Sequence, residues 1–194
     1  MNAVVRRSAT AIDAALSPGA LASGAFVQNP EFWKQELAND IAAALPLQAA
    51  AHRSDGWVTR PAILRRVATL MGASIPATAD RIIAFGDAAQ ILGTAVALET
   101  GIPFCVANPR AATEAEFLQT GTLHAGERVA VVSVHLDAPD LLESLAGHDV
   151  VVVVWRALIS RPADATMLAA DSRIAAEFSD AGMVAAAHEG GDAA

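Results

Sequence analysis

The composition of this 194-residue chain is that of a folded, acidic domain. Hydrophobic residues make up 54% of it and charged residues only 18%, which excludes the weakly hydrophobic, highly charged mixture of disordered chains. The longest strongly apolar run, Val150 to Val154, has the length of a strand and not of a membrane span. The net charge of −8 argues against a nucleic-acid partner, but a helix N-terminus and one or two arginines would suffice to hold a small phosphorylated molecule.

Cysteine and histidine usage predicts a cytoplasmic protein without a metal site. The lone Cys105 excludes an internal disulfide and suits a reducing compartment. Because it lies inside an apolar strand, we expect an inert thiol and not a nucleophile. Residues 1–17 lack a leucine-rich core before a cleavage site, so no signal peptide is expected. The histidines are scattered without metal-ligand spacing: they are His52, His124, His135, His148 and His188.

The first 50 residues are predicted to form a helical N-terminal segment ahead of a core at residues 51–190. Asn29 is a plausible N-cap and Pro30 suits the first turn of a helix over Glu31–Leu45. A second helix is predicted over Pro61–Met71, where apolar residues share one side.

From Asp80 onward, short apolar strands alternate with helical segments. This alternation predicts an α/β fold, in which a parallel sheet is flanked by helices. The predicted strands are Arg81–Phe85, Pro103–Ala107, Val129–Val132 and Val150–Trp155, with a final edge strand at Met183–Ala187. The predicted helices are Ala88–Thr100, Pro139–Leu145 and Ser172–Ala181.

Ligands of such sheets bind beyond the carboxyl ends of the strands, which directs attention to the loops there. The first loop begins Gly86-Asp87-Ala88, where glycine permits a tight turn that presents N–H groups to an anion. A plain strand-to-helix turn explains the same residues equally well.

The loop from Ser133 to Asp140 and the end of the last apolar strand supply the other candidates. His135 and Asp137 could form an acid–base pair, although a solvated histidine with Asp137 as helix N-cap is the favoured interpretation. Arg156 would meet a phosphate or carboxylate, or would simply be the first solvated residue after a buried strand.

The residues from Ala79 to Val132 resemble the core of orotate phosphoribosyltransferases, which belong to the type I phosphoribosyltransferases. Asp80–Gly86 is similar to the family's first core strand and glycine turn, and Gly93–Phe104 to the helix and strand that follow. Gly121–Val132 resembles the G-x-L-x-x-G-x-R-V sequence that leads into the signature strand. Upstream, Asp55–Arg60 is similar to a substrate-side segment near the hood, and the whole likeness covers about half of the chain.

The resemblance also implies a degenerate motif for phosphoribosyl pyrophosphate. In the family, two acidic residues grip the ribose and a T-T-G-G-S turn cradles the 5′-phosphate. Here Ser133 and Val134 stand at the acidic positions, and a turn containing Pro139 and Asp140 lacks an N–H donor and repels phosphate. The family's mobile loop carries several cations, whereas Arg110 is the only basic residue between Asn108 and Glu116.

Three hypotheses follow from the resemblance. The favoured one is a catalytically impaired relative that binds a nucleotide or sugar phosphate, or pairs with an active partner. The alternatives are an active phosphoribosyltransferase that converts orotate or a related base, and a purely structural interaction module. The family implies a homodimer, and it implies Mg²⁺ only where phosphoribosyl pyrophosphate is bound. Weak catalytic candidates are Arg110, His135 and Asp137; ligand-binding candidates are Gly86, Asp87, Ala88, Ser133, Asp137 and Arg156.

Overall fold

A computed structural model describes residues 30–44, 55–86, 88–108, 110–111, 116–136, 138 and 140–183. Over these residues the chain forms six strands and six α-helices with described bounds, besides a 3-10 turn at Pro162–Asp164 and further helical residues at 180–183. The helices are α1 (Pro30–Ala44), α2 (Asp55–Val58), α3 (Pro61–Gly72), α4 (Ala89–Thr100), α5 (Leu141–Gly147) and α6 (Ala165–Ala170). The strands are β1 (Arg81–Phe85), β2 (Phe104–Ala107), β3 (Leu118–Thr120), β4 (Arg128–Ser133), β5 (Val151–Ser160) and β6 (Ile174–Ser179).

The six strands form one sheet in the order β3-β2-β1-β4-β5-β6. All neighbouring pairs are parallel except β2 and β3, which are antiparallel. The four predicted strands therefore share one sheet, and the α/β prediction is confirmed. The strands β1 and β4 lie in its centre with apolar side chains buried on both faces, which explains why they read as uninterrupted apolar runs.

Helices cover both faces of the sheet, and successive side chains of a strand enter different cores. On one face, Ile82 and Val132 pack with residues of α1, α3 and α4, including the fully buried Ile41 and Val67. On the other face, Ile83 packs with Trp155 of β5 and with Leu141 and Leu145 of α5. The two cores hold the carboxyl ends of the strands in fixed register.

Helix α1 confirms the predicted helix at Glu31–Leu45. It begins one residue earlier, at Pro30, and Leu45 lies outside the described residues. Its residues Leu37 and Ile41 are fully buried in the same core as the sheet. Lys34 reaches across to the carboxylate of Glu177 in β6, at 3.2 Å. Residues 1–29 and 45–50 lie outside the described residues, so the division of the chain at residue 50 stays a prediction.

The C-terminal part of the chain differs from the sequence-based prediction. The helix expected over Ser172–Ala181 is wrong, because Ile174–Ser179 forms β6 and pairs with β5 from Trp155 to Ser160. The predicted edge strand at Met183–Ala187 is wrong at Met183, which lies in a helix whose described residues are 180–183, and its other residues are outside the described part. The sheet offers β6 a full ladder of backbone partners, which outweighs the helix propensity of Ala175 and Ala176.

Gly93 allows α4 to approach the sheet closely. A Cβ atom at this position would lie 2.7 Å from Cδ2 of Phe104 and 2.8 Å from Cβ of Ala84. Alanine would gain about 1 kcal/mol in helix propensity, but overpacking costs about 1–3 kcal/mol. We expect Gly93→Ala to lower the free energy of unfolding by up to about 2 kcal/mol in urea titrations.

The matched control for this substitution is Gly147→Ala at the end of α5. A Cβ atom there would meet no atom within 4 Å, so we expect unchanged stability or a gain of up to about 1 kcal/mol. If Gly93→Ala were as stable as Gly147→Ala, α4 could not lie as close to β1 and β2 as described.

Candidate ligand-binding site

The sheet has a topological switch point between β1 and β4. From β1 the chain passes to β2 on one side, whereas β4 lies on the other side of β1. Open α/β sheets bind ligands in the crevice that such a reversal leaves at the carboxyl ends of the strands. The register aligns Phe85 with Ser133, so the loop beginning at Gly86 and the loop following Ser133 leave the sheet side by side.

The Gly86 loop is a left-handed turn that leads directly into α4. Gly86 has a φ of +80° and Ala88 a φ of +57°, and the N–H of Ala89 donates to the carbonyl oxygen of Gly86 at 3.2 Å. A left-handed alanine costs about 1–2 kcal/mol, so the surrounding structure must enforce it. The turn points the positive N-terminal end of the 12-residue α4 at the switch point. The neighbouring candidate Asp87 lies outside the described residues.

Ser133 is fully buried at the end of β4. Its hydroxyl oxygen accepts a hydrogen bond from the indole N–H of Trp155 in β5, at 3.1 Å. The next residue, Val134, is 1% exposed, and its carbonyl oxygen accepts from the N–H of Ile159 at 2.9 Å. The start of the predicted ligand loop is therefore part of the sheet's own packing.

The remainder of this loop also contributes to the core. Leu136 and Ala138 are 2% and 7% exposed and pack on the face of the sheet that α5 covers. His135, which directly precedes Leu136, is half-buried. Asp137 and Pro139 lie outside the described residues, so the predicted pairing of His135 with Asp137 stays a prediction.

The predicted helix at Pro139–Leu145 starts later, at Leu141, and extends to Gly147. Asp140 occupies the N-cap position of α5, but its side chain makes no capping hydrogen bond. Its carboxylate is instead exposed at the same edge of the sheet as the candidate site.

The sequence predicts Arg156 at the end of a strand, and this prediction is wrong. The residue sits inside β5, in register with Val132 and Ala175, and β5 continues for four residues to Ser160. The strand continues because it pairs with β6 and with the backbone of Val134. The arginine is half-buried, and its Nε is buried without a hydrogen-bond partner in the described part of the chain. Like Val132, it projects toward the face that α1, α3 and α4 cover.

Arg110 lies in a turn that Asn108 organises after β2. The side-chain oxygen of Asn108 accepts from the N–H of Arg110 at 3.1 Å, and its carbonyl oxygen accepts from Ala111 at 3.0 Å. The N–H of Asn108 donates to the carbonyl oxygen of Phe117 at 2.7 Å, which closes the base of the loop. Both Arg110 and Glu116 are exposed.

Sequence reasoning missed two residues of this region. The sequence predicts a strand up to Ala107 but not the turn at Asn108, although asparagine before proline is a common start of a turn. It predicts Trp155 only as the last residue of a strand, although a buried indole N–H usually finds an acceptor. That requirement could have directed attention to a hydroxyl on a neighbouring strand, which is Ser133.

Cys105 is fully buried in β2, and burial raises the pKa of its thiol to about 11. The thiol is therefore protonated at neutral pH and is a poor nucleophile. Within the described ranges, no group of three or more His, Cys, Asp or Glu side chains is arranged to hold a metal ion. No helix in the same ranges has the length and apolar character needed to cross a membrane.

No protein-family model and no curated protein matches the sequence, but the fold has well-defined relatives among solved structures. The UMP synthase of Leishmania donovani matches with a TM-score of 0.62 and 20% identity, over 81% of this chain and 39% of the enzyme. Orotate phosphoribosyltransferase of Mycobacterium tuberculosis, solved with inorganic phosphate, matches with a TM-score of 0.62 and 17% identity. The match covers 80% of this chain and 92% of the mycobacterial enzyme. A phosphoribosyltransferase of Corynebacterium diphtheriae matches with a TM-score of 0.62 and 16% identity. The match covers 78% of this chain and 98% of the corynebacterial protein.

The chain has the type I phosphoribosyltransferase fold. This confirms the fold that the sequence resemblance implied. The chain spans about two fifths of the Leishmania enzyme but nearly all of the two bacterial ones. At 16–20% identity these likenesses establish the phosphoribosyltransferase fold and not an activity.

Proposed function

We propose that this chain is a cytoplasmic phosphoribosyltransferase-fold protein without orotate phosphoribosyltransferase activity. In this proposal it acts by binding a nucleotide or sugar phosphate at the carboxyl edge of the sheet, or by pairing with an active relative. The observation that carries the proposal is the burial of Ser133, Val134, Leu136 and Ala138 in the loop after β4.

The four buried residues of this loop carry none of the charged groups that phosphoribosyl transfer needs. Ser133 and Val134 occupy the positions of the acids that resemblance to the family predicts, and neither carries a carboxylate. The Ser133 hydroxyl is already bonded to Trp155 and lies out of solvent. These residues therefore do not fit Mg²⁺-phosphoribosyl pyrophosphate in the family's manner, and no step of the proposal depends on the metal.

The available cations also favour binding over catalysis. Departure of pyrophosphate concentrates negative charge, which preorganised cations must offset. Arg110 is exposed in its turn and Arg156 is half-buried in β5. One exposed arginine stabilises a leaving pyrophosphate poorly, whereas Arg156 and the Gly86 turn at the N-terminus of α4 suit a bound phosphate group.

An active enzyme with a divergent loop is the second candidate. The switch point and the left-handed Gly86 turn favour it, since both provide a place for a phosphate. The mycobacterial orotate phosphoribosyltransferase has been solved with inorganic phosphate and with phosphoribosyl pyrophosphate. Ligand binding alone would therefore agree with both candidates, and only turnover separates them.

An activity assay provides this separation. We expect the purified chain to form no orotidine 5′-phosphate from orotate, phosphoribosyl pyrophosphate and Mg²⁺ above a no-enzyme control. Losing one preorganised group costs about 10²–10³ in rate, and several are lost here. An active orotate phosphoribosyltransferase, prepared in the same way, is the positive control. Product formation by this chain would reject the proposal in favour of the second candidate.

A thermal-shift series tests the binding half of the proposal. A ligand present at about 100 times its Kd adds about 2.7 kcal/mol of stability. We expect orotidine 5′-phosphate or phosphoribosyl pyrophosphate to raise the melting temperature of the wild type, and Arg156→Gln to reduce the shift. If neither ligand shifts the melting temperature, and no active partner co-purifies, a purely structural module is the remaining explanation.

We also propose that the chain forms a homodimer. Ile91 and Leu98 lie two turns apart on one side of α4 and are 44% and 82% exposed. Large apolar side chains on one helix face are typical of a protein–protein contact. Light scattering at micromolar concentration should give the mass of two chains, and Leu98→Asp should shift it toward one. A wild-type mass of one chain would contradict the dimer.

A further inference from the structure

A cavity of about 360 Å³ lies at the amino edge of the sheet, opposite the candidate ligand site. The last turns of α3 and α4 form its walls. Ligand pockets for small molecules have volumes of about 300–1,000 Å³, so this cavity is large enough for a small organic molecule. Its polar lining is Thr69, Glu99 and Thr100, and its larger apolar lining is Ile75, Ala77 and Ile102.

The cavity lies where two negative helix ends meet. Both α3 and α4 end there, and neither has a basic residue in its last turn. The C-terminal end of a helix carries about half a negative charge, which favours a cation. Glu99 adds a full carboxylate, whose Oε1 accepts a hydrogen bond from the hydroxyl of Thr69 at 3.1 Å.

The guanidinium of Arg128 is bonded next to the cavity, at Thr78. It donates to the hydroxyl of Thr78 at 2.8 Å, and Arg128 is not among the lining residues. Among the described residues, no lysine or arginine lines the cavity. The negative charge of Glu99 and of the two helix ends is therefore not neutralised by a cation in the cavity wall.

The opposite wall is apolar. Ile75 and Ile102 are half-buried and pack against the core beneath the sheet edge. Thr69 bonds to Oε1 of the Glu99 carboxylate, and Glu99 itself is exposed to solvent. A ligand that matches this arrangement has a cationic head for Glu99 and a short apolar stem for the isoleucines.

We propose that this cavity binds a primary ammonium group on a short alkyl chain. The group is either that of a free alkylamine or that of a lysine side chain on a partner protein, and both present the same chemistry. The ammonium donates to Glu99 beside the ends of α3 and α4, and the alkyl stem lies against Ile75 and Ile102. This site is independent of the function proposed for the carboxyl edge.

An NMR titration of the full chain tests the site with n-pentylamine, which is protonated at pH 7. We expect saturable shifts at the amides of Gly72, Glu99 and Thr100. The uncharged isostere 1-pentanol should bind at least about tenfold more weakly, since a charge-assisted hydrogen bond is about twice as strong as a neutral one. No saturable shift with the amine, or equal binding of the alcohol, would overturn the proposal.

Two variants test whether the carboxylate of Glu99 is the group that binds the amine. Glu99→Gln keeps an oxygen that accepts from Thr69 but removes the charge, so we expect a fold unchanged by circular dichroism and about tenfold weaker binding. Glu143→Gln, on the exposed first turn of α5, should leave binding unchanged. Binding to Glu99→Gln as tight as to the wild type would refute the assignment.

A second ligand distinguishes the two sources of the ammonium group. N-acetyl-lysine methylamide presents the lysine side chain with flanking peptide groups. If it binds more tightly than n-pentylamine, the site is one for a partner's lysine. If the free amine binds equally or more tightly, the site is one for a small amine.

Discussion

Replacing Ser133 with aspartate is expected to lower the free energy of unfolding by more than about 3 kcal/mol. The residue is fully buried and its side chain is in contact with the indole of Trp155. An aspartate there must either bury a charge or fold with a raised pKa in its neutral form, and both cost several kcal/mol. Because single domains are stable by only about 5–15 kcal/mol, much of the variant would be unfolded at physiological temperature.

Ser172→Asp is the matched control for this substitution. Ser172 is exposed in the turn before β6, and a surface change of this kind stays within about 0.5 kcal/mol. Ser133→Ala isolates the hydrogen bond, because it leaves the Trp155 N–H buried without its acceptor, at a cost of about 1–3 kcal/mol. Urea titrations followed by Trp fluorescence report all three variants.

The result for Ser133→Asp also bears on the proposed function. If the loop after β4 opened readily to solvent in the free protein, an aspartate at this position would cost little and would titrate near pH 4. A stable Ser133→Asp protein would therefore contradict a loop that is committed to the core. It would revive the second candidate, an enzyme whose loop rearranges around its substrate.

The central sheet was predictable because parallel strands buried on both faces read as continuous apolar runs. Strands β1 and β4 have this pattern, and their predicted bounds differ from the observed ones by no more than one residue. The edge strands were missed for the opposite reason. Strand β3 has three residues, two of them exposed, and β6 is largely half-buried with two alanines, so neither carries a periodic apolar signal.

The candidate site was predictable only in part. The sequence predicted a tight turn from the glycine at the end of an apolar strand, and Gly86 has a left-handed backbone there. The environment of Ser133 depends on Trp155, which is 22 residues away in the chain and adjacent only through the register of β4 and β5. Arg156 was placed at a strand end because a charged residue normally marks one, yet pairing with β6 carries the strand past it. Tertiary pairing of this kind cannot be read from local sequence.

The second large effect is expected at the Arg81–Glu127 ion pair, which joins the start of β1 to the loop before β4. The guanidinium donates to both carboxylate oxygens of Glu127, with nitrogen–oxygen distances of 2.6, 2.8 and 3.1 Å. The N–H of His124 donates to the same carboxylate at 2.9 Å. We expect Glu127→Gln to lower the free energy of unfolding by about 2–3 kcal/mol at pH 7. This is below the ~3–5 kcal/mol of a fully buried pair, because 14% and 15% of the two side chains remain exposed.

The control is the Arg66–Asp40 pair between α3 and α1, whose side chains are 26% and 49% exposed. An exposed pair contributes about 0.2–1 kcal/mol, so Asp40→Asn should cost less than about 1 kcal/mol. If Glu127→Gln and Asp40→Asn lowered the free energy of unfolding equally, the Arg81–Glu127 pair would stabilise the fold no more than an exposed pair does.

The stabilisation by Glu127 is also expected to depend on pH, in a direction that follows from the pKa of its carboxyl. The hydrogen bonds from Arg81, followed by the backbone N–H of His124, lower the pKa of Glu127 from its usual value of 4.5, although burial opposes them. A carboxyl with a lowered pKa in the folded state stabilises the fold fully above the unfolded-state value and loses this contribution as the pH falls through the folded-state value. The difference in stability between wild type and Glu127→Gln should therefore be constant above about pH 6 and shrink below about pH 4.5. Urea titrations across this range measure it, and a difference that grew on acidification would show that the carboxylate does not stabilise the fold through its charge.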